Sequence, residues 1–412
     1  MDRRLFLKSS SWALGGFAFL PFSLRQTFAA ALAPASQNKI LVVIFQRGAM
    51  DGLAAIPPVG DSYYTKELRP SLHMTVGVPE GALPLDGFFA MHPALQPILP
   101  LWQNGQLAVI HQVGSPISTR SHFDAQDMME SGTPGMKATE DGFLSRALMM
   151  LPKPADPKMA TLRAVALQPN LPRILWGQSG AFALNSIREF SGAGALQASG
   201  TEHGFESLYE GAMDRVLQGA GQQTFDAMKT IKDLPPTSSS ANYPKGPIGN
   251  HLKEIAQMIR GDVGLRVAVT DVGGWDTHQR QGGAKGQLAN QLKPLSEAIA
   301  AFVQDLGPQW MDKVCLVTMT EFGRTVHENG NGGTDHGHGS VMFVVGGQVR
   351  GKKVLTDWKN LSKQNLFEGR DLPITTDFRD VWATILDRHL GVKNMASVFP
   401  GYTVQKKLNL FS

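Results

Sequence analysis

The chain of 412 residues contains a single cysteine, Cys315. One thiol closes no internal disulfide and builds no thiolate metal site or iron–sulfur cluster. Its place in the apolar run from Val314 to Met319 marks it as a small buried hydrophobe. A large charge of one sign is also missing. The formal net charge is +4, and Arg3, Arg4, Lys8 and Arg25 against Asp2 give the first 33 residues +3 of it, leaving +1 for the rest. That balance is no argument for nucleic-acid binding. No apolar run is long enough for a comfortable membrane span. No Gly-x-Gly-x-x-Gly follows a strand-like segment, which argues against a dinucleotide-dependent oxidoreductase.

What is present begins with a leader. Asp2-Arg3-Arg4-Leu5-Phe6-Leu7-Lys8 has the paired arginines, Phe-Leu and Lys of a twin-arginine (Tat) export signal. A short apolar stretch, Trp12 to Leu24, follows, interrupted by Gly and Ser, and Ala31-Leu32-Ala33 offers a small-x-small cleavage site. The expectation is a Tat signal peptide over 1–33, a mature domain over 34–412, a periplasmic or secreted location, and no stable span after cleavage. The Tat export machinery would be the first partner. Because that route carries folded cargo, a metal held by a preformed site would suit it.

The mature chain alternates strand-like and helix-like segments. Residues 39–46 (Lys-Ile-Leu-Val-Val-Ile-Phe-Gln) are nearly all apolar, as in a strand buried on both faces. Similar strands are expected at 107–111, 265–271, 314–320 and 340–345, with helices at 95–104, 123–130, 251–260, 288–306 and 377–390, the last capped by Thr375 or Thr376. This alternation predicts an α/β fold with a mainly parallel central sheet and helices on both faces. Residues 150–250 are less patterned. Strands at 162–167 and 173–176 and helical spacing over 205–234 fall inside a stretch expected as an insert or cap.

Four strand ends carry polar clusters: Asp51; Asp276 with His278; Glu321 with Arg324; and Asp335-His336-Gly337-His338 before the strand at 340. Open α/β sheets bind ligands outside the carboxyl ends of their strands. Carboxylates mixed with imidazoles suit Zn²⁺ or Mn²⁺, whereas carboxylates alone would suit Ca²⁺ or Mg²⁺. The polar turn 115–122 sits between a strand and a helix N-terminus, where free N–H groups favour an anion. His73, His111, His203, His251, His327 and His389 lack such a setting and read as structural or surface histidines.

Several motifs together resemble a known family: Arg47-Gly48-Ala49-Met50-Asp51-Gly52-Leu53, Met91-His92-Pro93-Ala94-Leu95, Thr119-Arg120-Ser121-His122-Phe123-Asp124-Ala125-Gln126-Asp127, Gly273-Gly274-Trp275-Asp276-Thr277-His278, and Thr320-Glu321-Phe322-Gly323-Arg324 followed by Gly332-Gly333-Thr334-Asp335-His336-Gly337-His338-Gly339. They resemble a Tat-exported bacterial family catalogued as domain of unknown function 1501, itself distantly similar to the alkaline phosphatase and sulfatase superfamily. The resemblance implies an alkaline-phosphatase-like fold and one or two divalent ions, with zinc or manganese favoured and calcium possible. It implies metal ligands among Asp51, Asp276, His278, Glu321, Asp335, His336 and His338. It also implies a nucleophile at Ser121, with Ser118 and Thr119 as alternates, and charge neutralisation by Arg120 or Arg324. The expected reaction is hydrolysis of a small anionic phosphate or sulfate ester. The alternative is a non-catalytic metal-binding protein of the cell envelope that keeps the fold. The order Ser115-Pro116-Ile117-Ser118-Thr119-Arg120 does not match the Cys/Ser-x-Pro-x-Arg context of formylglycine sulfatases.

Overall fold

The computed structural model describes residues 39–136, 139–154, 156, 158–190, 215–234 and 239–411; the leader expected at 1–33 lies outside them. The strands are β1 (Ile40–Gln46), β2 (Leu83–Pro84), β3 (Ala90–Met91), β4 (Leu107–Gly114), β5 (Ala164–Leu167), β6 (Phe182–Leu184), β7 (Val267–Val272), β8 (Val314–Met319), β9 (Ser340–Gly346), β10 (Lys353–Leu355) and β11 (Thr376–Asp377). The helices used below are α1 (Gly52–Ala55), α2 (His122–Ser131), α3 (Phe143–Met150), α4 (Arg215–Lys232), α5 (Pro247–Arg260), α6 (Gln287–Met311) and α7 (Phe378–Ile385).

β1 shows why the sheet is covered twice. Successive side chains of a strand point to opposite faces, and here both faces are apolar. Ile40, Val42 and Ile44 enter one core with α5, α6 and the 93–103 helical segment. Leu41, Val43 and Phe45 enter the other with α3 and α7. The main sheet runs β10-β4-β9-β8-β1-β7-β5-β6, with β11 also paired to β4. Every pairing is parallel except those of β9, which runs antiparallel to both β4 and β8. The sheet is therefore mainly parallel with helices on both faces. No helix among the described residues is long and apolar enough to cross a membrane.

Three local expectations are corrected. The 150–250 stretch is not all insert: Ala164–Leu167, fully buried, and Phe182–Leu184 complete the main sheet beside β7. Residues 173–175 form a 3₁₀ turn instead of a strand, because Pro172 removes a donor just before it. The helix α7 is capped by Asp377, whose carboxylate accepts from the Arg379 N–H, and not by Thr375 or Thr376.

The antiparallel sense of β9 has a functional consequence. Its first residue, Ser340, lies at the edge of the sheet where β1, β7 and β8 end. The segment 335–339 thus opens at the same edge as 47–51, 273–278 and 320–324.

Candidate metal centre

Three imidazoles and one carboxylate meet at that edge. Nε2 of His336 is 3.0 Å from Nε2 of His122, 3.0 Å from Nε2 of His278 and 3.2 Å from Oδ1 of Asp276. Asp276 Oδ1 is also 3.0 Å from His278 Nε2, and its Oδ2 is 3.5 Å from His122 Nε2. His122, Asp276 and His336 alone already offer ligand atoms within 4.8 Å of one another.

The other nitrogen of each ring is committed elsewhere. Nδ1 of His122 donates to Glu321 at 2.8 Å, Nδ1 of His336 donates to the Arg120 carbonyl at 2.8 Å, and Nδ1 of His278 donates to Asp335 at 3.0 Å. Carboxylates and carbonyls only accept, so these partners assign the tautomers. In its neutral form an imidazole has one N–H, so in that form all three Nε2 atoms present lone pairs to a common point. Lone pairs facing each other at this range need a proton or a cation between them. Outer partners that fix ring orientation in this way are the usual support of histidine metal ligands.

The local fold explains the convergence. Ser121 is the N-cap of α2, its hydroxyl accepting from the Asp124 N–H, and Gly132 closes the helix at φ +70°. This sets His122 at the first helical position. Phe322 lies against the His122 ring at 5.0 Å and the His336 ring at 5.1 Å, limiting their rotation. The 321–325 and 334–339 segments pair closely, since a Cβ at Gly337 would sit 2.4 Å from the Arg324 carbonyl, and Gly333 lies as close to the 277–278 segment, where a Cβ would sit 2.4 Å from the His278 carbonyl. Only glycine permits either approach.

Arg324 holds the remaining pieces. It is buried and donates to the carbonyls of Gly48, Ala49, Trp275 and Thr334 and to the Asp276 carboxylate. Partial burial pushes the Asp276 pKa up, but the Arg324 hydrogen bond and charge, helped by His278, outweigh it and hold Asp276 ionised. For Glu321, burial is likewise outweighed, by hydrogen bonds from His122, Gln126 and the Gly48 N–H, so its pKa lies below the usual value. His122 is shifted up, mainly by its bond to Glu321.

The expected site residues therefore separate. Asp276, His278 and His336 converge. Glu321 and Asp335 stand one step out, each holding an imidazole. Asp51 is turned away from the cluster: it is buried, caps α1 through the Ala54 N–H, takes two bonds from Arg69 at 2.7 and 3.3 Å, and takes one from Gln281 at 2.7 Å. Those four donors leave it no lone pair suited to an ion. His338 is buried and stacks on Phe367 at 4.3 Å. Arg120 reaches to Glu368 and Asp371. The Arg324 side chain is fully buried among these carbonyls and Asp276, so it positions the site and does not face a substrate. His122, Gln126 and Phe322 were not selected from sequence as site residues. The only sequence signal for His122 was its place in the Thr119–Asp127 motif at a helix start.

The fold and this edge define a mainly parallel α/β protein with a histidine-rich candidate metal centre. The chain belongs to the family described as "Protein of unknown function (DUF1501)", which matches residues 109–400. No match was found among the curated proteins. Among solved structures, the lipoteichoic acid synthase LtaP from Listeria monocytogenes is similar at 10% identity and a TM-score of 0.32, over 87% of this chain and 74% of that one.

Proposed function

We propose that this chain is a metal-dependent hydrolase of phosphate or sulfate esters, exported by the Tat route and acting in the periplasm or outside the cell. The observation that carries the reading is the meeting of three imidazole lone pairs with the Asp276 carboxylate. Three nitrogens and one oxygen suit zinc or manganese better than calcium, which takes oxygen ligands. With Asp51 engaged by Arg69, the donor set serves one ion. A bound divalent cation would polarise the ester and favour ionisation of an attacking hydroxyl.

The chain's own groups have distinct tasks in this reading. His122, His278, His336 and Asp276 bind the ion. Glu321, Asp335 and the Arg120 carbonyl keep the three rings in the tautomer that presents Nε2. Ser121 directly precedes His122, and its cap bond uses an oxygen lone pair but not the hydroxyl proton, so it stays the candidate nucleophile.

That cap bond also favours a second reading. A serine fully explained as a helix cap suits a non-catalytic metal-binding envelope protein with the same fold. The deciding experiment combines elemental analysis of the purified protein with a screen of phosphate and sulfate esters, using His336→Ala as control. Near-stoichiometric zinc or manganese with ester turnover, both lost in the control, supports the hydrolase. Metal without turnover favours the binding protein. Properly folded protein without bound metal overturns both.

A further inference from the structure

Beside the metal centre lies a pair of arginines whose charges are not balanced by buried groups alone. The carbonyl of Arg120 anchors His336 Nδ1, and the guanidinium of Arg370 donates to the His336 carbonyl. Both side chains meet on Asp371, which is buried. Arg370 contributes bonds of 2.8 and 3.2 Å to its two oxygens, and Arg120 a longer one of 3.4 Å. Asp371 can neutralise only one of the two cations. The other is balanced by Glu368, which takes a bond from Arg120 at 2.7 Å.

Glu368 is poorly built as a permanent partner. Its side chain is 54% exposed and that of Arg120 is 43% exposed. An ion pair so exposed adds little stability and exchanges readily. Glu368 also sits at φ +52°, in the left-handed region that non-glycine residues seldom adopt. It is the first residue of the tight turn 368–370, closed by reciprocal backbone bonds between Phe367 and Asp371. Phe367 stacks on His338, so the turn is fastened to the segment that carries His336. Strained residues of this kind concentrate where a site binds or switches.

We infer that Arg120 and Arg370, aligned by Asp371, form an anion subsite for a phosphate or sulfate group, and that the Glu368 carboxylate occupies it until the anion displaces it. Asp371 stays in place when Glu368 leaves, because it is buried and doubly bonded to Arg370. The exchange substitutes one anion for another on the same guanidinium and leaves no buried charge unpaired. Paired arginines match the oxygen geometry of both phosphate and sulfate. This inference deepens the ester-hydrolase reading and rests on it for the identity of the substrate group, but the subsite stands on its own residues.

The test is calorimetric titration of the full chain with inorganic phosphate and with sulfate. It is run on metal-loaded and chelator-treated protein, for wild type, Glu368→Gln and Arg120→Gln. Both substitutions are at exposed side chains, and circular dichroism checks the fold. Removing the competing carboxylate is expected to tighten anion binding by about threefold or more, the exchange value of one exposed ion pair, and Arg120→Gln is expected to weaken it by a similar factor. The two shifts should survive chelation. Equal affinity in all three proteins, or weaker binding in Glu368→Gln, overturns the subsite. Shifts seen only with metal present overturn it too, since the anion would then be reading the metal centre. Ester turnover and metal content are measured separately, so failure of the hydrolase reading leaves the affinity result interpretable, and the reverse.

Discussion

Glu321 and His122, 199 residues apart, meet through a 2.8 Å bond from Nδ1 of the imidazole to a carboxylate that is wholly buried. The same oxygen, Oε1, accepts from the Gly48 N–H and the Gln126 amide, while Oε2 lies 3.0 Å from the Thr320 hydroxyl, whose shorter bond goes to the Gln46 carbonyl. It is therefore an acceptor-only hub, and a ring bound to it can present only Nε2 to the centre. Glu321→Gln removes the negative charge from an oxygen that accepts from three donors. It is expected to weaken metal binding by roughly 10–100-fold, as loss of an outer partner does, read by competition with a chelating dye.

Nε2 of His336 lies within 3.2 Å of both other rings and of Asp276. His336→Ala should lower bound metal below one ion per chain after dialysis against a chelator, since it removes one of the four ligands and the one that touches the other three. The ring is only 20% exposed and packs on Phe322, so the metal-free variant should melt below metal-free wild type. Elemental analysis and melting curves check both statements.

Asp51 gives the contrasting outcome. Burial pushes its pKa up, but the Arg69 charge and the bonds from Arg69, Gln281 and Ala54 outweigh that and hold it below the usual range. Asp51→Ala strands a buried guanidinium and is expected to cost about 3–5 kcal/mol of stability. Metal content per folded chain should remain at one ion. Loss of the metal from folded Asp51→Ala would restore Asp51 as a ligand.

Two buried histidines set an acid limit on stability. Burial lowers the pKa of His111 and of His389 from 6.5 to about 4, despite bonds to the Ile56 and Ile40 carbonyls. Between these values the unfolded chain holds more protons than the folded one, so stability falls as pH drops from about 6.5 toward about 4. Urea unfolding midpoints should decline over that window, and His389→Gln should flatten part of the slope. A midpoint independent of pH there would refute the assignment.

Ser121→Ala separates two roles. Loss of the α2 cap should lower stability by about 0.5–2 kcal/mol, whichever role holds. Ester hydrolysis is expected to fall to background if the hydroxyl attacks. Full hydrolytic activity in this variant would assign Ser121 to the helix cap alone.

The residues of β1 and β8 were legible because burial on both faces writes itself as an unbroken apolar run, and such a run needs only near neighbours to be read. The polar residues at the ends of such runs, Asp276 and His278 after β7, Glu321 after β8 and the 335–338 turn before β9, could be found the same way. Their division of labour could not. Whether a carboxylate binds an ion or holds an imidazole depends on which group faces it, and those groups are far away in sequence: Arg69 and Gln281 for Asp51, His122 for Glu321. The sequence by itself determined the doubly covered α/β sheet and the polar character of its edge, since both follow from local periodicity and residue type. Tertiary structure alone decided that β9 runs antiparallel between β4 and β8. That pairing brings His336 to the edge where His122 and Asp276 already lie, because hydrogen-bonded strand order is a long-range choice that no local pattern encodes.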